Sequence, residues 1–180
     1  GYDSFEHVLE RAQSALSADE LEHIVEASDA LVLDTRAPQV FAQGFIPRSI
    51  NIGIDGDFAP WAGAMIVDVK QPLVLVTEPG REEEVITRLS RVGFDNVLGY
   101  LDGGFETWQA SGKEVDHVER ISAEVLAGRF PLTDSIIVDV RKESEYAAEH
   151  VEEAYSRPLA YINDWIQDLP RDKHFYPVSY

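Results

Sequence analysis

Apolar residues along the chain fall into short continuous runs and into longer stretches with helical spacing. Residues 73–76 (Leu-Val-Leu-Val) form a run of four, which is the length of a buried strand and too short for a helix. Pro79-Gly80 then predicts a tight turn. From residue 81 to 93 apolar side chains recur at helical spacing, which predicts a helix directly after the turn. These apolar positions are Val85, Ile86, Leu89 and Val92.

The strand–turn–helix segment around residue 77 is the first candidate for chemistry. A strand that enters a helix through a tight loop brings backbone N–H groups together beside the positive end of the helix. This geometry builds anion sites and often activates a nucleophile.

The same alternation of strand and helix patterns extends over the first 112 residues. Further strands are predicted at residues 30–33, near 50–52 and at 97–100, and further helices at 5–16, 18–27, 38–43, 57–64 and 104–112. Strands that alternate with helices form a parallel sheet covered on both faces. The chain is therefore expected to have an α/β fold with a doubly wound parallel sheet.

Composition and charge narrow the classes of function. The 180 residues suffice for one or two domains, and 44% hydrophobic residues suffice for a packed core. No apolar run has the length of a membrane span and no secretion signal is visible, so a cytoplasmic location is expected. The net charge of −18 argues against nucleic acid and anionic membrane as partners.

The chain contains no cysteine, and this excludes disulfides, thiolate metal sites and a cysteine nucleophile within these residues. Its five histidines are scattered without the spacing of metal ligands. We therefore expect no metal site and no cofactor.

After a charged linker the chain repeats itself at an offset of 105 positions. The matched pairs include Ser17 with Ser122, Asp34 with Asp139, Arg36 with Arg141, Phe41 with Tyr146, and Pro72-Leu73 with Pro177-Val178. A repeat of this length predicts two copies of one domain. The expected organisation is a helical lead-in (1–16), a complete domain (17–112), a linker (113–120) and a partial second copy (121–180).

Without a gap, the repeat places the counterpart of Thr77 near position 182, two positions beyond Tyr180. Half of a doubly wound domain leaves a sheet face and a strand edge uncovered. The sequence is therefore expected to be part of a longer polypeptide.

The motifs assembled so far resemble rhodanese-like (sulfurtransferase) domains. The resemblance rests on Leu33-Asp34-Thr35-Arg36, Phe41, Gly44, Ile46-Pro47, Ile50-Asn51-Ile52, the segment 73–92, Leu101-Asp102-Gly103-Gly104-Phe105-Glu106-Thr107-Trp108 and Gly112. It covers residues 17–112 and, in part, 122–180. Residues 56–63 and 79–83 are similar to the rhodanese tail of bacterial metallo-β-lactamase-fold, persulfide dioxygenase-like fusions. That similarity implies an upstream catalytic domain, or another protein, as partner.

In active members of that family the position of Thr77 is a cysteine, which carries sulfane sulfur taken from thiosulfate or a persulfide. The pattern there is of the Cys-x-x-Gly-x-Arg type. The corresponding degenerate loop comprises Thr77, Glu78, Pro79, Gly80, Arg81 and Glu82. Threonine cannot carry a persulfide, Pro79 lacks an N–H, and Glu82 is not a cation. We therefore expect an inactive first domain with a structural, regulatory or partner-binding role.

The resemblance implies that Asp34 pairs with Arg36, and Asp139 with Arg141, as structural braces. An aspartate after a parallel strand is also the phospho-acceptor of receiver domains and the nucleophile of haloacid-dehalogenase phosphatases. Both require further carboxylates around Mg²⁺, and residues 35–38 provide none.

Two enzymatic alternatives remain open. The parent protein could be a sulfurtransferase whose cysteine lies in the second copy just beyond Tyr180, where a small sulfur anion would bind. The second alternative is phosphatase-like chemistry, because some phosphatases share this fold. It also requires a cysteine, and these residues contain none.

Overall fold

The structure is a computed structural model that describes residues 5–118, 122–130, 132, 135–151, 154–159, 162–170 and 172–178. The chain forms two compact units, residues 1–119 and 120–180. Each unit has a parallel sheet of its own.

The first unit contains a five-stranded sheet in the order β1-β5-β4-β2-β3, in which all neighbouring strands are parallel. The strands are β1 (Ala15–Leu16), β2 (Leu31–Asp34), β3 (Ile50–Asn51), β4 (Leu73–Val76) and β5 (Val97–Leu101). The order reverses direction between β2 and β4, which makes the sheet doubly wound. This confirms the predicted α/β fold.

Helices cover both faces of this sheet. They are α1 (Phe5–Ala12), α2 (Ala18–Ser28), α3 (Pro38–Gln43), α4 (Phe58–Met65), α5 (Glu82–Arg91) and α6 (Phe105–Ala110). Leu33 and Leu75 pack on the face covered by α4 and α5. Val74 and Val76 pack on the opposite face, against residues of α2 and α6. A strand buried on both faces has no polar side, which explains the continuous apolar run of β4.

The first predicted helix is too long. It ends at Ala12, and residues 15 and 16 form β1 instead, with Leu16 opposite Leu101. Gly99 permits this pairing, because a Cβ at that position would lie 2.6 Å from the carbonyl oxygen of Ser14. Leu16 continues the helical period, so the pattern alone does not show that pairing with β5 replaces the helix.

The helix after the Pro79-Gly80 turn, α5, is shorter than predicted. It ends at Arg91, and Val92 is 39% exposed instead of lying on the buried face. The other three predicted positions, Val85, Ile86 and Leu89, are fully buried.

Much of the segment that the sequence predicts as a linker lies against the first unit. Asp116 forms an antiparallel bridge with Phe45. Lys113 pairs with Asp19 at 2.8 Å and with Glu22 at 3.2 Å. Residues 119 and 120 lie outside the described residues.

The second unit contains a three-stranded parallel sheet in the order β7-β6-β8. Its elements are α7 (Ala123–Ala127), β6 (Ser135–Asp139), α8 (Glu143–Ala148), β7 (Tyr155–Ser156), α9 (Ile162–Trp165), a 3₁₀ turn (Ile166–Asp168) and β8 (His174–Val178). Its small core contains Leu126, Ile137 and Ala154.

The strand registers overturn the gap-free alignment of the repeat. Asp34 lies opposite Val76, 42 positions later, whereas Asp139 lies opposite Val178, 39 positions later. The connection into β8 is therefore three residues shorter, and Val178 has the register position in the second sheet that Val76 has in the first. The prediction that Pro177-Val178 corresponds to Pro72-Leu73, which placed the second loop near position 182, is wrong. A loop-length difference leaves both strand patterns intact, so the sequence pattern does not reveal it.

Candidate functional site

The loop that follows β4 lies at the carboxyl edge of the first sheet, where a second polar residue meets it. Thr77 follows β4 and Thr35 follows the neighbouring strand β2. Their hydroxyl oxygens are 2.5 Å apart, and either can be the donor. Both residues are buried, at 3% and 1% exposure. Within the described part of the chain, Thr77 Oγ1 has no other hydrogen-bond partner, so no base is placed to remove its proton.

The turn between β5 and α6 packs directly on this loop. Gly104 has a φ of +71°, and a Cβ there would lie 2.8 Å from the carbonyl oxygen of Thr77 and 3.3 Å from Cδ of Pro79. A side chain at position 104 would therefore collide with the loop and strain its own backbone. Gly104 thus allows the turn to pack closely against the loop.

Glu82, the first residue of α5, folds back onto the loop. The backbone N–H of Gly80 donates a hydrogen bond to Glu82 Oε2 at 2.9 Å. A carboxylate at this place is stabilised by the positive end of the helix. The N–H of Arg81 donates to the carbonyl of Glu78 at 3.1 Å, and Pro79 has no N–H. The loop's own groups therefore take two of the donors that could otherwise point at an external anion.

Arg81, the cation nearest the loop, is engaged by two carboxylates. Its guanidinium donates to both oxygens of Asp55 at 2.9 and 2.8 Å, and to both oxygens of Glu84 at 3.0 and 3.1 Å. Hydrogen bonding to Arg81 lowers the pKa of Asp55 and of Glu84, and in return raises the pKa of Arg81. Arg81 therefore joins α5 to the segment after β3, and does not face an open anion site.

Asp34 and Arg36 form a buried bidentate pair at the carboxyl end of β2. Arg36 Nε lies 3.0 Å from Asp34 Oδ1, and Nη2 lies 2.7 Å from Oδ2. The same Nη2 donates to the carbonyl of Gly44 at 2.8 Å, and the guanidinium stacks 4.3 Å from the centre of the Phe105 ring. Burial raises the pKa of Asp34, and the hydrogen bonds and charge of Arg36 oppose that shift. Both carboxylate oxygens are occupied, so this aspartate braces the chain.

The second unit contains the same arrangement. Arg141 Nε lies 3.0 Å from Asp139 Oδ1, and its Nη2 donates to the carbonyl of Glu149 at 2.8 Å. Burial acts to raise the pKa of Asp139, but the hydrogen bonds from Arg141 outweigh it, and the pKa lies below its ordinary value.

The family model for rhodanese-like domains matches residues 17–111, which is more than half of the chain. The chain belongs to the rhodanese-like domain family. No curated protein matches it.

Solved structures with this fold include the Alr3790 protein from Anabaena sp. (TM-score 0.50, 19% identity, 63% of this chain and 86% of that chain). Thiosulfate sulfurtransferase from Pseudomonas aeruginosa is similar over 95% of this chain and 39% of its own (TM-score 0.50, 20% identity). EanB is similar over 82% of this chain and 41% of its own (TM-score 0.50, 15% identity). This chain thus spans less than half the length of the last two, and the likeness shows a shared fold.

Two other kinds of site are absent from the described residues. No group of three or more His, Cys, Asp or Glu side chains that could hold a metal is found there. No described helix combines the length and the hydrophobicity that a membrane crossing needs.

Three residues that contact the loop of this rhodanese-like domain were not predicted as part of the site from the sequence. Thr35 could have been found by aligning the ends of β2 and β4, since each threonine follows a buried strand. Asp55 lies 26 residues before Arg81, and nothing in its local pattern indicates the pairing. Gly104 is visible as a motif residue, but its contact with Thr77 depends on the tertiary fold.

Proposed function

We propose that the first unit is a non-catalytic rhodanese-like domain that serves a structural, regulatory or partner-binding role. The observation that carries this proposal is the buried Thr77–Thr35 hydroxyl pair at the place where the family resemblance implies a cysteine. A hydroxyl with no base nearby is a poor nucleophile and cannot hold a persulfide sulfur.

The surrounding contacts support the same conclusion. Sulfur transfer through this loop would need donors and positive charge directed at an anion. Here Gly80 N–H is bonded to the Glu82 carboxylate, and Arg81 is bonded to Asp55 and Glu84. The N–H of Gly80 and the guanidinium of Arg81, which could otherwise stabilise a thiolate or bind thiosulfate, are therefore both bound to carboxylates of the chain itself.

The test is a thiosulfate:cyanide sulfurtransferase assay on the purified chain, with a known thiosulfate sulfurtransferase as the positive control. We expect thiocyanate formation no faster than in protein-free buffer. Turnover that rises with protein concentration and disappears in a Thr77→Val variant would overturn the proposal. A Thr87→Val variant, altered on α5 outside the loop, is the matched control for the substitution itself.

We further propose that the partner is a catalytic domain of the metallo-β-lactamase fold, encoded upstream in the same polypeptide. Support comes from the similarity of residues 56–63 and 79–83 to the rhodanese tails of such fusions. The first stretch contains the start of α4, and the second contains Arg81, which binds Asp55 directly before the first stretch. Sequencing the complete transcript tests this directly, and a reading frame without a metallo-β-lactamase-type histidine motif would exclude it.

A further inference from the structure

The ladder between β2 and β4 fixes where the first loop begins. Asp34 is opposite Val76, and the N–H of Thr35 donates to the carbonyl of Val76 at 2.9 Å. The next residue along that strand is Thr77, and its hydroxyl meets the Thr35 hydroxyl. In this unit the loop position is therefore the residue that follows the partner of Asp34.

The ladder between β6 and β8 has the same form. Asp139 is opposite Val178, and the N–H of Val140 donates to the carbonyl of Val178 at 3.2 Å. Val140 thus matches Thr35, and Val178 matches Val76.

The two arginines fix the frame of this comparison independently of the strands. Arg36 and Arg141 each bind the aspartate two residues earlier through Nε and Nη2. Each also donates to a carbonyl eight residues later, on Gly44 and Glu149, at 2.8 Å in both units. A shift of even one residue in the alignment of β2 with β6 would break this correspondence.

We propose that residues 121–180 are a second rhodanese-like copy in which Ser179 is the counterpart of Thr77. The residue at the loop position is then a hydroxyl residue in both copies, and the cysteine expected near position 182 has no place in the register. This inference goes beyond the proposed function, which concerns the first unit alone. Under this inference, the second unit, like the first, has no cysteine at the position that would carry sulfur.

Pro177 gives a second reason to regard this copy as degenerate. Its counterpart Leu75 lies opposite Tyr100 in β5. The N–H of Leu73, two residues earlier, donates to the carbonyl of Asn96 on the β5 side, and alternate residues of a strand direct their N–H groups to the same side. Pro177 has no N–H to offer at that place. Proline is tolerated on an edge strand, so β8 lacks a donor that the complete sheet of the first unit would use.

The register can be tested by cross-linking, because a chain without cysteine contains only the thiols that are introduced. The variant Val140→Cys/Ser179→Cys carries thiols at the positions that match Thr35 and Thr77. The variant Thr35→Cys/Thr77→Cys is the positive reference, and Val140→Cys/Tyr180→Cys moves one thiol by a single residue. Oxidised glutathione takes up the two electrons released as each disulfide forms, and non-reducing electrophoresis with mass spectrometry measures the bridged fraction.

We expect the 140/179 pair to bridge at least about tenfold faster than the 140/180 pair, because a disulfide requires closely placed Cβ atoms. Equal or faster bridging of the 140/180 pair, or no 140/179 bridge where the 35/77 reference forms, would overturn the assignment. Circular dichroism of the reduced variants shows that each is folded, and urea should abolish the difference between pairs. The readout does not involve sulfur transfer, so turnover in the assay would refute the proposed function and leave this register standing.

Discussion

Thr77 and Thr35 satisfy each other's hydroxyl groups at a buried position, and this makes each threonine dependent on the other. A buried polar group that loses its partner costs about 1–3 kcal/mol, whereas replacing both partners with apolar groups of the same shape can be nearly neutral. Valine has the shape of threonine without the hydroxyl. The pair can therefore be dissected by valine substitution.

Thr77→Val and Thr35→Val should each lower the free energy of unfolding by about 1–3 kcal/mol, since each leaves the other threonine's buried hydroxyl without a partner. The double variant should lose less than the sum of the two single losses. Urea unfolding of the four proteins, with unchanged m-values, measures this coupling. Strict additivity would show that the two hydroxyls do not depend on each other.

At the scale of elements, Gly104 decides how closely the turn between β5 and α6 can approach the loop after β4. The two segments pack together because position 104 has no side chain. Gly104 and Gly112 both have positive φ angles, +71° and +75°, so any other residue is strained at either place. Only Gly104 has the loop against it, because nothing lies within 4 Å of a Cβ built at Gly112.

Gly112→Ala should cost about 1–2 kcal/mol from backbone strain alone. Gly104→Ala should cost about 1–3 kcal/mol more, because the methyl group also meets the carbonyl of Thr77. The difference between the two unfolding free energies isolates the contact between turn and loop. Equal losses would mean that the loop moves aside freely.

Sequence patterns were most successful where the periodicity was strong and the element was long. The run at β4 and the spacing of Val85, Ile86 and Leu89 led directly to a buried strand and a buried helix face. The two-residue strand β1 was not predicted, because its stability comes from pairing with β5 and from the space left by Gly99. The register of β8 was misplaced because a shortened connection leaves no trace in either strand pattern.

For the site, residue identity could be read from the sequence and geometry could not. Thr77, Pro79 and Glu82 were recognisable as departures from a sulfurtransferase loop. The contact of Glu82 with Gly80, and the binding of Arg81 by Asp55, depend on how α5 begins and on a segment 26 residues away. Side-chain partners across such distances are set by the tertiary fold.

At the scale of the whole molecule, the carboxylates that Arg81 binds make stability sensitive to pH. The pKa values of Asp55 and Glu84 lie below their ordinary values of 3.8 and 4.5, because Arg81 hydrogen-bonds to both carboxylates. A carboxylate whose pKa is lower in the folded state stabilises the fold above its unfolded pKa, and this contribution is lost as the pH falls through the folded pKa.

Asp55→Asn should therefore weaken the dependence of stability on pH below about pH 4.5, and leave a smaller difference from the parent protein at the acid end than at neutrality. Asp57→Asn removes the same charge two residues away and is the matched control. Unfolding midpoints measured from about pH 3 to pH 7 give the comparison. A curve for Asp55→Asn parallel to that of the parent would show that the Arg81 pairing contributes nothing to acid sensitivity.

The contact between Glu82 and Gly80 has a consequence for reversibility. Under the proposed function, replacing Thr77 with cysteine would place a thiol in a loop where the Glu82 carboxylate already binds the N–H of Gly80 and where Pro79 has no N–H. Sulfur transfer would require simultaneous changes at positions 77, 79 and 82, and we expect none of the three single substitutions to give activity. Under the proposed function, a single Thr77→Cys substitution would therefore not restore sulfur transfer.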